Sequence, residues 1–164
     1  ILTSEKTGIK ITKATIGCVT SSGEKDSQDM GRTMAPAAAM TLKQHLEDFN
    51  LTPSDYDLIV TGDLSLYGSK IFVDILKEYL IDVKDVYQDC GLMIYDIEKQ
   101  QVSAGGSGCG CASLVMYGYL CNQLYQTKYN KILVIATGAL LNPVMVAQGK
   151  KIPSIAHAVV LERS

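Results

Sequence analysis

The sequence has no long run of positive charge, no long apolar run and no regular cysteine framework. Its longest basic run is Lys150-Lys151, and its formal net charge is −2. Nothing there attracts a nucleic-acid backbone in general, so nucleic acid is not an expected partner. No apolar run reaches the roughly 18 to 20 residues that a membrane-spanning helix needs. The most apolar stretch, 132–146, is interrupted by Gly138, Asn142 and Pro143. The five cysteines (Cys18, Cys90, Cys109, Cys111 and Cys121) are odd in number and irregularly spaced. Reduced thiols in a cytosolic compartment are therefore expected, not disulfides. Internal repeats and low-complexity tracts are also absent.

What is present has the balance of a folded domain. Of 164 residues, 47% are apolar and 20% charged, enough for one domain with its own core. The chain starts at Ile1, not Met, and shows no signal peptide. We expect a single domain over 1–164 that is a truncated piece of a longer protein.

Periodicity gives the order of elements. In 11–20, ITKATIGCVT, apolar Ala14, Ile16 and Cys18 alternate with Lys13, Thr15 and Gly17, which predicts a strand. A polar loop follows, then a helix over MAPAAAMTLKQHLEDFN, with Pro36 in its first turn and Ala38, Leu42, Leu46 and Phe49 as the buried stripe. DLIVT (57–61) and KILVIAT (131–137) read as strands buried on both faces. A helix is predicted over 69–80. Residues 87–95 read as a short strand or an extended insertion. A second long helix should run from the glycine-rich segment to about residue 127. Residues 138–149 read as a loop or hairpin limb, and SIAHAVVLE (154–162) as the last strand, close enough to its predecessor to pair antiparallel. Alternating strands and helices predict a largely parallel sheet with helices on its faces.

The segment 103–113, SAGGSGCGCAS, holds four glycines within six residues. Glycine permits close backbone approach, and the residues beyond are apolar on nearly every side. The preferred reading is the close-packed start of a helix buried all round. Three alternatives compete. The N–H groups of a helix start can bind an anion, but neither a phosphate-loop ending nor a full dinucleotide fingerprint is present. Cys109 and Cys111 could ligate a metal, but no second close pair of ligands exists. A cysteine at a helix start could be a nucleophile, but only His45 and His157 could serve as its base. No cofactor and no metal are expected.

Single residues offer similar choices. Asp63 follows a buried strand end, where ligands of parallel sheets gather, and could equally be a turn residue. His157 lies between Ala156 and Ala158; it is either a satisfied core histidine or, facing a cavity, a donor to a carboxylate. His45, among Lys43, Gln44 and Glu47, is expected to be solvated. Asn142-Pro143 reads as turn chemistry. Tyr117, Tyr119 and Tyr125 are expected to pack at an interface.

Five motifs, in this order, carry a family resemblance: MGRTMAPAAAMTL (30–42), DLIVTGDLSLYGS (57–69), AGGSGCGCAS (104–113), KILVIATGALLNP (131–143) and IPSIAHAVVLER (152–163). Together they resemble the C-terminal half of the stage V sporulation protein AD family of thiolase-like proteins. The resemblance implies an α/β thiolase-like half: a mixed, mostly parallel sheet of about five strands with helices on both faces. It implies a missing N-terminal half, with a ligand cavity between the two. It also implies a non-enzymatic component of dipicolinic acid uptake into the developing spore. Such a protein works with other sporulation membrane proteins of the same uptake system, on the cytoplasmic side and peripheral to the membrane. In condensing enzymes of similar fold a catalytic His follows the strand equivalent to 58–61, where Gly62 and Asp63 stand. A catalytic Asn would open the glycine-rich segment, where Gly106 and Ser107 stand. No catalytic residue is therefore expected here. Gly106, Ser107 and Gly108 are the expected anion contacts, with Asp63 and His157 as further ligand contacts. Asp63 would suit a calcium chelate better than a bare dianion. Thr137-Gly138 resembles the turn that borders the cavity. The competing expectation is a thiolase-type acyltransferase or condensing enzyme whose nucleophile lies in the missing half. An apolar face left by that half makes self-association expected.

Overall fold

The computed structural model describes residues 3–5, 8–106 and 108–164. Five strands form one sheet: β1 (Ile9–Ile16), β2 (Leu58–Thr61), β3 (Tyr87–Asp89), β4 (Lys131–Ala139) and β5 (Ser154–Arg163). Their spatial order is β1-β5-β4-β2-β3. β3, β2 and β4 are parallel, while β5 pairs antiparallel with both β4 and β1. Four strands thus run one way and β5 runs against them, so the sheet is mixed and mostly parallel.

The two faces of the sheet are covered separately. On one lie α1 (Met30–Phe49) and α2 (Ser65–Glu78), packed over Ile59, Leu133, Ile135, Ala156 and Ala158. On the other, Leu58, Val60, Ile132 and Val134 meet α3 (Cys90–Ile94), α4 (Cys111–Val115) and α5 (Cys121–Tyr125). A π-helical stretch, Met116–Leu120, joins α4 to α5. The strands read as buried on both faces, β2 and β4, are so placed because helices cover both sides of them.

α1 begins earlier than the sequence predicts. Asp29 accepts the Arg32 N–H at 3.1 Å and caps a helix that starts at Met30. Pro36 therefore sits inside the helix, not in its first turn. An interior proline costs about 3 kcal/mol by its lost N–H and ring clash. The buried run of Thr33, Met34, Ala35, Ala37, Ala38 and Ala39 around it offsets that cost through packing. Small residues also let α1 and α2 touch: a Cβ on Gly68 would lie 2.7 Å from the Gly31 Cα. Asn50 ends the helix at φ 50, its N–H donating to the Leu46 and Glu47 carbonyls.

β1 keeps the predicted period, and the polar set supplies its inward residue. Thr15 is the inward residue, and its Oγ1 lies 2.8 Å from Nδ1 of His45 on α1. Ala14, Ile16 and Cys18 point away from α1 and are exposed, Ile16 by 86%. Alternation identifies a strand but not which face meets the core. His45 is likewise not solvated. It is fully buried between Thr15 and Tyr56, whose hydroxyl lies 2.7 Å from Nε2.

The glycine-rich segment is a loop, and the helix starts only at Cys111. Gly105, Gly106 and Gly108 have φ of 78°, 87° and 87°, where side chains are disfavoured. Nothing lies within 4 Å of a Cβ added to Gly108 or Gly110. Gly105 and Gly108 are thus used for their conformation, and Gly110 is neither strained nor crowded. The helix is also not buried all round. Cys111, Val115, Leu120 and Leu124 face the sheet, while Leu114, Tyr117, Tyr119 and Tyr125 are exposed. Residues 138–149 contain a short helix, α6 (Pro143–Ala147), capped by the Asn142 Oδ1, which accepts the Val144 and Met145 N–H groups.

Candidate functional site

β2 and β4 run side by side, β4 continues to Ala139 past the end of β2 at Thr61, and a cavity of about 580 Å³ opens at their carboxyl ends. Its walls come from the start of α1, the β2–α2 turn, the glycine-rich loop and the end of β4. This is where parallel strands of an open sheet leave a crevice between diverging connections.

The β2–α2 turn is built around a carboxylate from the neighbouring strand. Asp89, at the end of β3, is only 1% exposed. Its Oδ2 accepts the Thr61 hydroxyl at 2.7 Å and the Leu64 N–H at 2.9 Å. Its Oδ1 accepts the N–H groups of Ser65 at 3.0 Å and Gly91 at 3.1 Å. Burial pushes this carboxyl up from the usual carboxylate range, against the opposing pull of its donors. Ser65 is held at φ 58, an uncommon conformation for a non-glycine residue.

Asp63 projects from that turn to the glycine-rich loop. Its Oδ2 accepts the Gly108 N–H at 2.8 Å. A Cβ on Gly91 would collide with Asp63 Oδ1, and one on Gly106 would stand 3.1 Å from the same atom. Glycine at these positions lets the carboxylate lie flat against the loop.

Of the residues singled out from the sequence, Asp63, Gly106 and Gly108 line the cavity together. Ser107 lies outside the described residues. Thr137 and Gly138 also line this cavity. His157 is not brought to it. It is exposed on β5, neither core nor cavity, and its Nδ1 accepts the Gly17 N–H at 3.1 Å. Cys109 reaches the cavity, whereas Cys111 is buried beneath it. Burial, with Asp89 beside it, pushes the buried Cys90 thiol far up, which keeps it protonated and inert. Among the described residues, no three His, Cys, Asp or Glu side chains converge to hold a metal ion.

Sequence reasoning missed Asp29, Tyr67 and Asp89. Asp29 lines the cavity and pairs with Arg32, Nε to Oδ2, at 3.3 Å. Its signal was an acidic residue ahead of an apolar helical period. Tyr67 adds an exposed aromatic ring to the wall. Asp89 carries no sequence signal, because its partners Thr61, Leu64 and Ser65 are 24 to 28 residues away. The described lining contains two carboxylates and no Lys, Arg or His side chain.

With this geometry in view, comparison with known proteins is decisive. The sequence profile of the stage V sporulation protein AD family matches residues 1–162. The chain belongs to this family. It is 54% identical over 156 residues to stage V sporulation protein AD of Bacillus subtilis (strain 168). That match covers 95% of this chain but 46% of the relative, so the chain spans about half the relative's length. Among solved structures it resembles 3-oxoacyl-[acyl-carrier-protein] synthase III from Aquifex aeolicus, with a TM-score of 0.51 and 16% identity, over 96% of this chain and 54% of that one. A variant of OleA from Xanthomonas campestris gives a TM-score of 0.51 at 11% identity, over 96% and 58% of the two chains. At such identities the likeness concerns the fold, which is thiolase-like. Among the described residues, no helix is long and apolar enough to cross a membrane.

Proposed function

We propose that this chain is one half of a non-enzymatic ligand-binding protein of sporulation, and that its cavity takes dipicolinic acid for uptake into the developing spore. The observation that carries the non-enzymatic part is at Gly62. A Cβ there would lie 2.9 Å from Thr137 Oγ1 and 3.2 Å from Thr137 N. Thr137 on the neighbouring strand thus takes the space that a side chain at 62 would need, which supports a reading without the histidine of condensing enzymes. Asp63, next to it, would repel a developing oxyanion, where catalysis needs hydrogen-bond donors.

Charge selects the form of the ligand. Dipicolinate is a flat dianion. Asp29 and Asp63 both line the cavity, and the Gly108 N–H already donates to Asp63. Bare dianion therefore meets two carboxylates and one donor fewer, whereas a calcium chelate carries its own compensating charge. Tyr67, Met30 and Met34 supply an apolar wall for the ring. The missing N-terminal half would close the cavity and cover the exposed side of α4 and α5. The complete protein would work beside membrane proteins of the same uptake system, peripheral to the membrane on its cytoplasmic side.

Calorimetry of the full-length protein tests this reading. Dipicolinate should bind, and more tightly with calcium than without. No heat under either condition would overturn it. The alternative, a thiolase-type acyltransferase, draws support from the synthase among its structural neighbours. It requires a mass shift on a cysteine after incubation with acyl-CoA; an unmodified protein would exclude it.

A further inference from the structure

We infer that Asp89 is a positioning residue for the cavity: its buried carboxylate sets the 61–65 turn so that Asp63 reaches across and holds the glycine-rich loop. Asp89 does not itself line the cavity. It acts through two successive contacts. Its oxygens accept from Thr61, Leu64 and Ser65, which fixes the turn on both sides of Asp63. Asp63 then accepts the Gly108 N–H at 2.8 Å, across 45 residues of chain. The Gly91 N–H, which also donates to Asp89, ties the start of α3 to the same centre.

Three features show that this arrangement is set by Asp89. Ser65 sits at φ 58, and its N–H points at Asp89 Oδ1 from that conformation. A strained residue persists only where its surroundings over-determine it. The Leu66 N–H also donates to the Ala104 carbonyl at 2.9 Å, so any shift of the turn moves the loop carrying Gly105 and Gly106. Finally, Gly91 leaves no room for a side chain between the two carboxylates, since a Cβ there would meet both Asp63 Oδ1 and Asp89 Oδ1. Each oxygen of Asp89 carries two donors, which satisfies the charge of a group that is almost fully buried.

The test uses the full-length protein and reads the Gly108 amide, a group with no contact to Asp89. In Asp89→Asn, hydrogen exchange at Gly108 should accelerate about tenfold, the effect of one charge-assisted hydrogen bond. Two controls separate positioning from general weakening. Asp57→Asn removes a carboxylate that accepts the Asn130 and Lys131 N–H groups ahead of β4. Leu42→Ala truncates the core under α1. Both should lower the melting temperature and leave the local Gly108 exchange unchanged. If Asp89→Asn does not fold, Thr61→Val removes the 2.7 Å bond to Asp89, together with the 2.8 Å contact to the Tyr87 hydroxyl, and should shift Gly108 in the same direction by less. An unchanged Gly108 amide in the folded variants, or an equal shift in the controls, would overturn the inference. Dipicolinate affinity should fall together with Gly108 protection; that part rests on the proposed function. If wild-type protein fails to bind dipicolinate, the proposed function fails while the exchange result still decides the role of Asp89.

Discussion

The two faces of the sheet are finished to different degrees. Under α1 and α2, Ala35, Ala38, Leu42, Phe72 and Leu76 are completely buried, and two helices meet through the bare backbones of Gly31 and Gly68. Over the other face, α4 and α5 cover only part of the sheet. Leu114 and Tyr117 are about two-thirds exposed, at 64% and 65%, and Ile16, paired with His157 on β5, stands uncovered at the sheet edge. The first face is a closed core. The second has an apolar inner side and an apolar outer side, as expected of a layer that something else must cover. The cavity opens where the ends of both layers meet, which is why its residues come from α1 on one side and the glycine-rich loop on the other.

The largest expected effect lies in the closed face. Gly68→Val would drive a side chain into the Gly31 backbone, which has no flexible end to give way. We expect a loss of roughly 3 kcal/mol or more, or failure to fold, measured by urea unfolding. A wild-type midpoint would mean that the α1–α2 seam is not the rigid part of the molecule.

The next effect is pH-dependent and comes from the same face. Burial, aided by Lys13, lowers the His45 pKa from 6.5 to about 4, with Asp48 opposing. His45 is thus neutral when folded, while the unfolded chain takes up a proton near pH 6.5. Its contribution to stability is complete above pH 6.5 and is lost as pH falls toward 4. The loss is about 3 kcal/mol across that window. Urea midpoints of wild type and His45→Gln should converge as pH falls from 6.5 to 4. Parallel curves would show that His45 stays solvated when folded.

These two cases also show what the sequence could convey. β2 and β4 were legible because a strand covered on both sides reads as an unbroken apolar run. β1 was legible as a strand, but which of its faces meets the core was not. Alternation is symmetric, and only the Thr15–His45 contact, 30 residues apart, fixes the sense. His45 itself was misread from its neighbours Lys43, Gln44 and Glu47. On a helix those neighbours point elsewhere, and His45 shares its face with Thr41 and Leu42. The cavity was half legible. Asp63, Gly106 and Gly108 stood out by type and place, Asp29 carried only the signal of an acidic residue ahead of a helix, and Asp89 acts on a turn 24 to 28 residues away that no local pattern encodes.

Within the loop at the junction of the two faces, the glycines should separate by conformation. Gly108→Ala places a side chain at φ 87 and should cost about 1 to 2 kcal/mol, although nothing crowds the new methyl group. Gly110→Ala, at φ −86 and equally uncrowded, should be neutral or stabilising by up to about 1 kcal/mol. Equal costs at both positions would restore the reading of this segment as a packing surface.

The smallest effect on stability is expected on the open face, and it is the sharpest test of the comparison. Leu114→Lys and Tyr117→Lys alter side chains that are already about two-thirds exposed in this chain. Their effect on unfolding of the 164-residue chain should stay within about 0.5 kcal/mol. Association should respond far more. An apolar helix face of this kind removes area from water when a second surface covers it, at about 25 cal/mol for each Å². Two lysines would oppose that gain by adding charge that must be desolvated. Sedimentation of the chain should therefore shift from self-associated toward monomer in the double variant, with the unfolding midpoint unchanged. A large loss of stability without any change in association would place Leu114 and Tyr117 inside the core. The two faces would then be equally finished, and no covering half would be needed to explain them.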